Sequence, residues 1–413
     1  MSMDDPTRSA LIRGVTAFVV VFFVGSAAVY ASERLDRQSG PAPPSPSPTV
    51  TSPPPTPGVA TPEAWLAWVP GGLPDGFVSQ MTTVPAIADT TTATADIAWL
   101  TSSTNSHGAL VDQPSDPYMI PIDTTGVEPA FASFLQQPER RLVAGLERGQ
   151  GVLSESEARL RHLNVGSTLT FSTGKEVSIV GTLPDVLMGG YELLVGRSTG
   201  EMIGVTHERY VLLDVRPYSH VTSDELAKKL EPYLPVDAPY PYVEVRAPGE
   251  TKYLRANDRE APPLVLKERF GEFTAFPDPQ SAKQIKIDPS WVQTHIQSED
   301  LPVLGTVVCN TAALDLLRRA MNQLHTRGGD AAVTYGSCYA KVADATGPDG
   351  PLTGAPFGAS IELNPGSNPP GSQPEQSPAL VATMARWGFG WAGRDAYPQG
   401  ALFRYHARSV ARD

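Results

Sequence analysis

The spacing of apolar and polar residues predicts short helices and strands along most of the chain. Apolar residues that recur every three to four positions after a Ser, Thr, Asp or Asn are typical of capped amphipathic helices. This pattern predicts helices at 154–163, 222–234, 290–296, 311–327 and 379–387. Short alternating or β-branched runs between Gly and Pro predict strands at 167–172, 176–183, 191–196, 209–215, 240–247, 331–337 and 401–406.

Several of these helices carry recognisable end signals. Ser154 with Glu157, and Thr222 with Glu225, have the spacing of a capping box, in which each side chain bonds the other residue's backbone N–H. Asp288 and Asn310 are predicted N-caps, and Gly328 is placed to end the helix at 311–327.

The amino-terminal region has a different pattern. After a short tail at 1–13, residues 14–32 carry no charge, and at about 1.5 Å per residue they approach the thickness of a bilayer core. We expect an uncleaved transmembrane anchor here; the alternative is a signal peptide cleaved after Ala31. Either alternative exports residues 33–413. The expected localisation is the cell membrane, with a single span and an extracytoplasmic chain.

A proline-rich linker at 33–62 follows the predicted anchor. Ten of the 22 residues at 41–62 are proline, and such a segment prefers polyproline II over a packed core. At about 3.1 Å per residue it reaches on the order of 65 Å, which would hold the folded part away from the membrane.

Charge separates the remaining chain into two segments. The whole protein has 413 residues and a net charge of −12. Residues 63–264 have 15 basic and 26 acidic residues, whereas residues 265–413 have 13 and 14. An acidic surface repels nucleic acid, which we therefore exclude as a partner. We predict a mixed α/β domain at 63–264 and an α+β domain at 265–413, each folding independently.

The chain has two cysteines, Cys309 and Cys338. An even pair in an exported protein predicts a disulfide. Metal binding by cysteine and histidine is the alternative, but no histidine lies close to either cysteine in the sequence.

The first domain contains the phrases "GQGVLSESEARLRHLNVGSTLTF" and "VSIVGTLPD". Over residues 64–215 these resemble the extracytoplasmic domain of ABC-transporter permeases of the macrolide-exporter and FtsX kind. The resemblance implies a domain that passes mechanical or binding signals, without implying transport by this chain.

The second domain contains "IKIDPSWVQTHI", "VVCNTAALDLLRRAM", "YGSCYAKV", "FGASIELNP", "RWGFGWAGRD" and "ALFRY" in that order. These phrases resemble zinc D-alanyl-D-alanine carboxypeptidases and L-alanyl-D-glutamate endopeptidases that act on peptidoglycan. The resemblance implies an α+β fold for 265–413, with a cleft and a zinc ion held by three ligands beside a general base.

The residues at the family's functional positions depart from that chemistry. The resemblance places the two histidine ligands at Ala355 and Leu402, and the aspartate ligand at Glu362. It places the general base at Gln399 and the arginine that binds the substrate carboxylate at Val342. One carboxylate cannot hold catalytic zinc, so we expect the metal, and any other cofactor, to be lost.

A cleft without zinc could still bind a ligand. The resemblance places its lining residues at Tyr339, Phe357, Glu362, Trp391 and Gln399. The sequence therefore favours a membrane-anchored pseudoenzyme that binds a peptidoglycan stem peptide or a membrane or cell-wall protein. Two alternatives stay open: an active peptidase with a rebuilt zinc site, and a non-catalytic subunit of a transporter or divisome complex.

Overall fold

The computed structural model describes residues 64–250, 254–255, 260–328, 333–344, 346–348 and 350–406. They belong to one compact unit that begins at Val59. The predicted tail, anchor and linker at 1–62 lie outside the described residues. Within the described part of the chain, no helix combines the length and the apolar character needed to cross a bilayer.

Residues 65–246 contribute ten strands to one sheet. The strands are β1 (Trp65–Trp68), β2 (Ile87–Thr104), β3 (Leu110–Asp112), β4 (Ile120–Val127), β5 (Gln150–Ser154), β6 (Thr168–Phe171), β7 (Glu176–Leu183), β8 (Leu193–Gly196), β9 (Glu208–Val215) and β10 (Glu244–Arg246). Six of them close into a ring in the order β2-β4-β8-β5-β7-β6, because β6 pairs back onto the end of β2. The strands β9, β1 and β10 extend the sheet from the other end of β2.

The long strand β2 makes this topology possible, because its 18 residues pair with four different strands. Its Thr- and Ala-rich sequence has little apolar alternation, and the sequence analysis did not identify it as a strand. Ala93, Ala95 and Ala98 are fully buried. Their small side chains allow neighbouring elements to pack closely on both faces.

Five short helices accompany this sheet: α1 (Phe77–Met81), α2 (Glu139–Ala144), α3 (Glu155–Leu160), α4 (Arg197–Met202) and α5 (Ser223–Leu230). One cluster of buried apolar side chains comes from ring strands and includes Leu100, Phe171, Leu193 and Val195. Packed apolar side chains from the ring strands therefore form a core.

Residues 260–406 form helices beside three small antiparallel sheets, which is an α+β arrangement. The helices are α6 (Pro263–Phe270), α7 (Pro289–His295), α8 (Thr311–Thr326) and α9 (Pro378–Arg386). The sheets are β11 (Ala275–Pro277) with β12 (Ile285–Ile287), β13 (Ile296–Leu301) with β14 (Gly305–Asn310), and β15 (Ser360–Glu362) with β17 (Leu402–Tyr405) and β16 (Phe389–Trp391). The apolar face of α8 is buried in the core of this region.

Most predicted helix ends are confirmed. The Thr222–Glu225 capping box is complete, and the side chains of Asp288 and Asn310 each accept a bond from a backbone N–H of the first turn. Gly328 follows α8 with φ +69°, a conformation that glycine adopts without steric strain.

Two predictions need correction. Residues 333–337, the described part of the predicted strand at 331–337, form only an isolated bridge between Tyr335 and Leu363. The Ser154 capping box is half formed: the Ser154 hydroxyl accepts from the Glu157 N–H, but the Ser154 N–H donates to the Glu192 carbonyl. The Glu157 carboxylate bonds Arg161 instead.

The two segments contact each other extensively. Helix α6 spans the predicted boundary between 264 and 265. Met119 and Ala275 exchange two backbone hydrogen bonds of 2.8 Å, and Ile97 and Trp99 of β2 pack against the apolar core of 261–405. Independent folding of the two segments stays a prediction.

Candidate functional site

Two strands set the geometry of the predicted cleft. Antiparallel pairing of β15 with β17 places Glu362 directly opposite Leu402. The structure thus brings together two of the three positions to which the sequence resemblance assigns zinc ligands. One carries a carboxylate and the other an aliphatic side chain.

Glu362 is half-buried and held by the segment before it in the chain. Its Oε2 accepts a hydrogen bond of 2.7 Å from the Ser337 hydroxyl, and its backbone pairs with Gly336 and Ser337. A Cβ on Gly336 would lie 3.1 Å from Glu362 Cβ, so this close approach favours glycine at position 336. The carboxylate is therefore a fixed hydrogen-bond acceptor.

Ala355 lies in the turn that precedes β15. Its carbonyl accepts backbone hydrogen bonds from Ala340 and Gly358, each 3.1 Å long. Gly358 has φ +64°, and a Cβ there would lie 2.6 Å from the Asn310 backbone nitrogen. The glycine of the family-like frame is thus required by the backbone, whether or not a metal binds nearby.

The aromatic candidates have different environments. Trp391 is half-buried, and its Nε1–H donates to the Gly400 carbonyl at 2.8 Å. Tyr339 is also half-buried, and burial raises the pKa of its hydroxyl to about 12. Phe357 does not line an open cleft, which corrects the sequence-based expectation: its side chain is fully buried and its ring packs 4.8 Å from that of Phe273.

The remaining two candidates lie outside the named strands and helices. Gln399 comes just before β17, and its carbonyl accepts from the Leu402 N–H at 3.0 Å. Val342 is 40% exposed and pairs with Gln284, next to β12. The expected arginine position thus lies beside the β11–β12 hairpin.

The predicted disulfide is confirmed, and it braces this region. Cys309 of β14 is bonded to Cys338, with the two Cα atoms 5.3 Å apart. Both residues are buried. In the part of the chain that the structure describes, no group of three or more His, Cys, Asp or Glu side chains is placed to hold a metal ion.

A second set of functional groups joins the two segments of the chain. We call it the buried ion cluster, and it consists of Asp112, Glu157, Arg161, Glu192, Lys267 and Glu272. The Lys267 ammonium lies 2.7 Å from Glu192 and 3.0 Å from Glu272, and it donates to the Pro121 carbonyl at 2.6 Å. The Arg161 guanidinium bonds Glu157 and Glu272 and lies 3.5 Å from Asp112.

The cluster draws on elements far apart in the sequence. Glu157 and Arg161 are four residues apart at α3, Glu192 precedes β8, and Asp112 ends β3. Lys267 is in α6 and Glu272 follows it. The side chains of Glu157, Arg161, Glu192 and Lys267 are at most 1% exposed, whereas those of Asp112 and Glu272 are 20% and 25% exposed.

Burial and neighbouring charges shift the pKa values of the cluster in opposite directions. Burial raises the pKa of Glu157 to about 8 despite the nearby Arg161, and burial also raises the pKa of Glu192. Burial disfavours the charged form of Lys267, but Glu192, Glu272 and Glu157 outweigh it and raise the Lys267 pKa. For Glu272, Lys267 and Arg161 overcome the effect of burial and lower the pKa.

The cluster continues toward the connection between the two segments. Glu192 Oε2 accepts from the Asp123 backbone N–H at 2.6 Å, and the Asp123 carboxylate bonds Arg255. The Arg255 guanidinium lies 3.8 Å from the centre of the Tyr191 ring, a cation–π contact. Leu254, next to Arg255, is fully buried. Leu254 and Arg255 are thus anchored on the first region.

Sequence reasoning missed the buried ion cluster. The available signals were the four-residue spacing of Glu157 and Arg161 and the lysine inside the apolar run "PLVLKERF". Both patterns are also common on solvated helix faces, so the sequence could not show that these charges meet.

Comparisons with known proteins give matches among solved structures. No protein-family model and no curated protein matches the chain. Among solved structures, the periplasmic region of MacB from Actinobacillus actinomycetemcomitans matches at 12% identity and a TM-score of 0.29, covering 45% of this chain and 88% of that one. The extracellular domain of the noncanonic ABC-type transporter YknZ from Gram-positive bacteria matches at 12% identity and a TM-score of 0.29, covering 44% and 98%.

These structural neighbours are periplasmic or extracellular regions of other proteins. The resemblance of residues 265–413 to zinc peptidases stays a prediction from the sequence.

Proposed function

We propose that this chain is a non-catalytic, extracytoplasmic subunit of a membrane complex of the transporter type. Its first region docks on a partner, and the peptidase-like region serves as a scaffold fixed to it. The observation that carries the proposal is a continuous path of contacts from an exposed apolar hairpin to the second region.

The hairpin formed by the end of β2 and by β3 carries exposed apolar side chains at one end of the ring. Leu110 of β3 is 57% exposed and Val111 is 36% exposed. Val165 is 58% exposed and precedes Gly166, where a Cβ would lie 3.2 Å from Ser106 Cβ in the turn before β3. A group of exposed apolar side chains is typical of a protein–protein contact.

Asp112 links this hairpin to the buried ion cluster. It accepts from the Ser103 hydroxyl at 2.5 Å and lies 3.5 Å from Arg161, which also bonds Glu272 of the second region. Buried ion pairs with good geometry fix the relative orientation of the elements that carry them. A partner bound at β3 would therefore act on both regions at once.

The chemistry at the peptidase-like positions also supports a non-catalytic role. Alanine and leucine side chains have no atom that ligates zinc, and the glutamine amide at 399 is not a general base near neutral pH. A rebuilt peptidase site would require ligands other than those at Ala355 and Leu402.

Site-specific photo-crosslinking of the full chain in its native membrane tests the proposal. A crosslinking amino acid at Leu110 or Val165 should trap one discrete membrane protein, whereas the same group at exposed Lys175, at the other end of β6, should trap little. Crosslinks to cell-wall fragments alone, or equal trapping from all three positions, would refute the proposed docking role.

A second candidate function is the binding of a cell-wall peptide in the cleft. The fixed, half-buried Glu362 carboxylate opposite Leu402 supports it, because such a site offers a hydrogen-bond acceptor and an apolar side chain to an extended peptide. Calorimetry with purified stem peptides distinguishes the two functions: binding that is lost in Glu362→Gln supports the cleft.

A further inference from the structure

The buried ion cluster contains more acidic than basic groups. Four carboxylates, on Asp112, Glu157, Glu192 and Glu272, face the two cations Arg161 and Lys267. Asp112 and Glu272 are partly exposed, so water stabilises their charges. Glu157 and Glu192 are buried with the two cations and also repel each other.

Glu157 has an oxygen suited to hold a proton. Its Oε1 bonds Arg161, whereas its buried Oε2 has no hydrogen-bond partner among the described residues. An ionised oxygen in such a place loses its hydration without gaining a hydrogen bond, and a proton removes most of that penalty.

Charged groups from every neighbouring element face Glu157. They are Arg161 near its own helix, Glu192 before β8, Lys267 and Glu268 of α6, and Glu272 after it. Asp112 reaches the same site through Arg161. Ionisation of Glu157 therefore adds a negative charge next to two other glutamates that already share Lys267.

We propose that the buried ion cluster is a proton-controlled latch, in which a proton on Glu157 keeps α6 fastened to the ring and its loss loosens that contact. The fully ionised cluster has an excess of two negative charges, and moving α6 outward lets water reach Glu192 and Glu272. This device is independent of the identity of any partner. The latch makes the contact between α6 and the ring more stable at neutral than at mildly alkaline pH. This direction is consistent with the raised pKa of Glu157.

Hydrogen exchange of the full chain tests the latch. After correction for intrinsic exchange rates, the protection of the hydrogen-bonded amides 266–271 should fall about tenfold or more between about pH 6.5 and about pH 9, as expected from a shift of one pKa unit or more. In Glu157→Gln, which copies the protonated side chain, protection should stay high at both values. Glu155→Gln, an exposed change on the same helix, should behave as the wild type does.

An equal change of protection in wild type and Glu157→Gln would overturn the proposal. A titration of ¹³C-labelled glutamate carboxyls by NMR decides the matter even where the variant folds poorly. One carboxyl of the wild type should titrate above about pH 7; if all glutamates titrate near their usual range, there is no latch.

Discussion

Lys267 and Glu192 form a salt bridge of 2.7 Å between two side chains that are both fully buried. The lysine belongs to α6, which opens the second region, and the glutamate precedes a strand of the ring. Desolvating both charges is costly, so the pair adds little net stability, whereas removing one partner leaves the other charge buried without a counter-ion.

Removing the lysine should therefore destabilise the protein strongly. Lys267→Met leaves Glu192 buried without its cation, and we expect a loss of about 3–5 kcal/mol in the free energy of unfolding. Lys283→Met is the matched control, because Lys283 is 66% exposed in its pair with Asp344 and water replaces the lost partner. Urea denaturation compares the two variants, and similar midpoints would show that leaving Glu192 without its cation carries no large penalty.

The stability of the protein should fall as the pH rises from about 5 to about 8. Burial raises the folded-state pKa of Glu157 to about 8, above its usual value of 4.5, so its stabilising contribution is full below 4.5 and is lost toward pH 8. The loss can reach about 1.4 kcal/mol per pH unit, since one proton is involved.

Glu157→Gln should remove this part of the pH dependence, and Glu176→Gln, an exposed change on β7, should leave it intact. Urea midpoints measured across the pH range provide the comparison. Curves for Glu157→Gln that run parallel to those of the wild type would show that Glu157 ionises normally in the folded protein.

The disulfide should stabilise the second region. Cys309 and Cys338 are 29 residues apart, and closing such a loop contributes on the order of 3.5 kcal/mol in the chain-entropy model. We expect reduction to lower the melting temperature of the wild type. The double variant Cys309→Ala with Cys338→Ala should melt at the lower temperature with or without reductant. A wild-type melt that reductant leaves unchanged would argue against this contribution.

The chain should not hydrolyse peptidoglycan stem peptides at the D,D- or L,D-bond, with or without added zinc. Zinc hydrolysis needs a metal-activated water and a base, and Ala355, Leu402 and Gln399 supply neither. Chromatography of muropeptide digests and metal analysis of the purified chain measure this. Stoichiometric zinc together with trimmed peptides would establish a rebuilt peptidase site.

Restoring the residues of the resembled family should raise zinc affinity. Glu362 and Leu402 are cross-strand neighbours, so Ala355→His, Glu362→Asp, Gln399→Asp and Leu402→His together would place ligands on a braced frame. The same variant with Ala355 unchanged lacks one ligand and serves as the control. Equal, weak zinc binding by both in calorimetry would mean that the frame has lost the family's geometry.

Dividing the chain between 264 and 265 tests the predicted independence of the two segments. The cut falls inside α6 and separates Lys267 from Glu192, so we now expect the fragment 63–264 to melt less cooperatively than the intact protein. Cooperative melts of both fragments at the temperature of the intact chain would show that the contact between them adds little.

The local features were largely predictable. Helix α8 follows from one apolar stripe with Asn310 before it and Gly328 after it, because capping and periodicity act within a few residues. The isolated bridge at Tyr335 and the length of β2 were not predictable, since both depend on which segments lie alongside. The resemblance to zinc peptidases assigned Glu362 and Leu402 to one predicted site, and the strand register shows them opposite each other.

The sequence by itself determined the helix caps, the cysteine pair, the acidic first segment and the absence of ligating atoms at Ala355 and Leu402. Each of these depends on residue identity or on contacts between near neighbours in the chain. Only the tertiary structure decided that β6 closes the ring on β2, that Phe357 is buried in the core and that Lys267 meets Glu192. These features depend on long-range packing, which sets whether a charged side chain faces water or another buried charge.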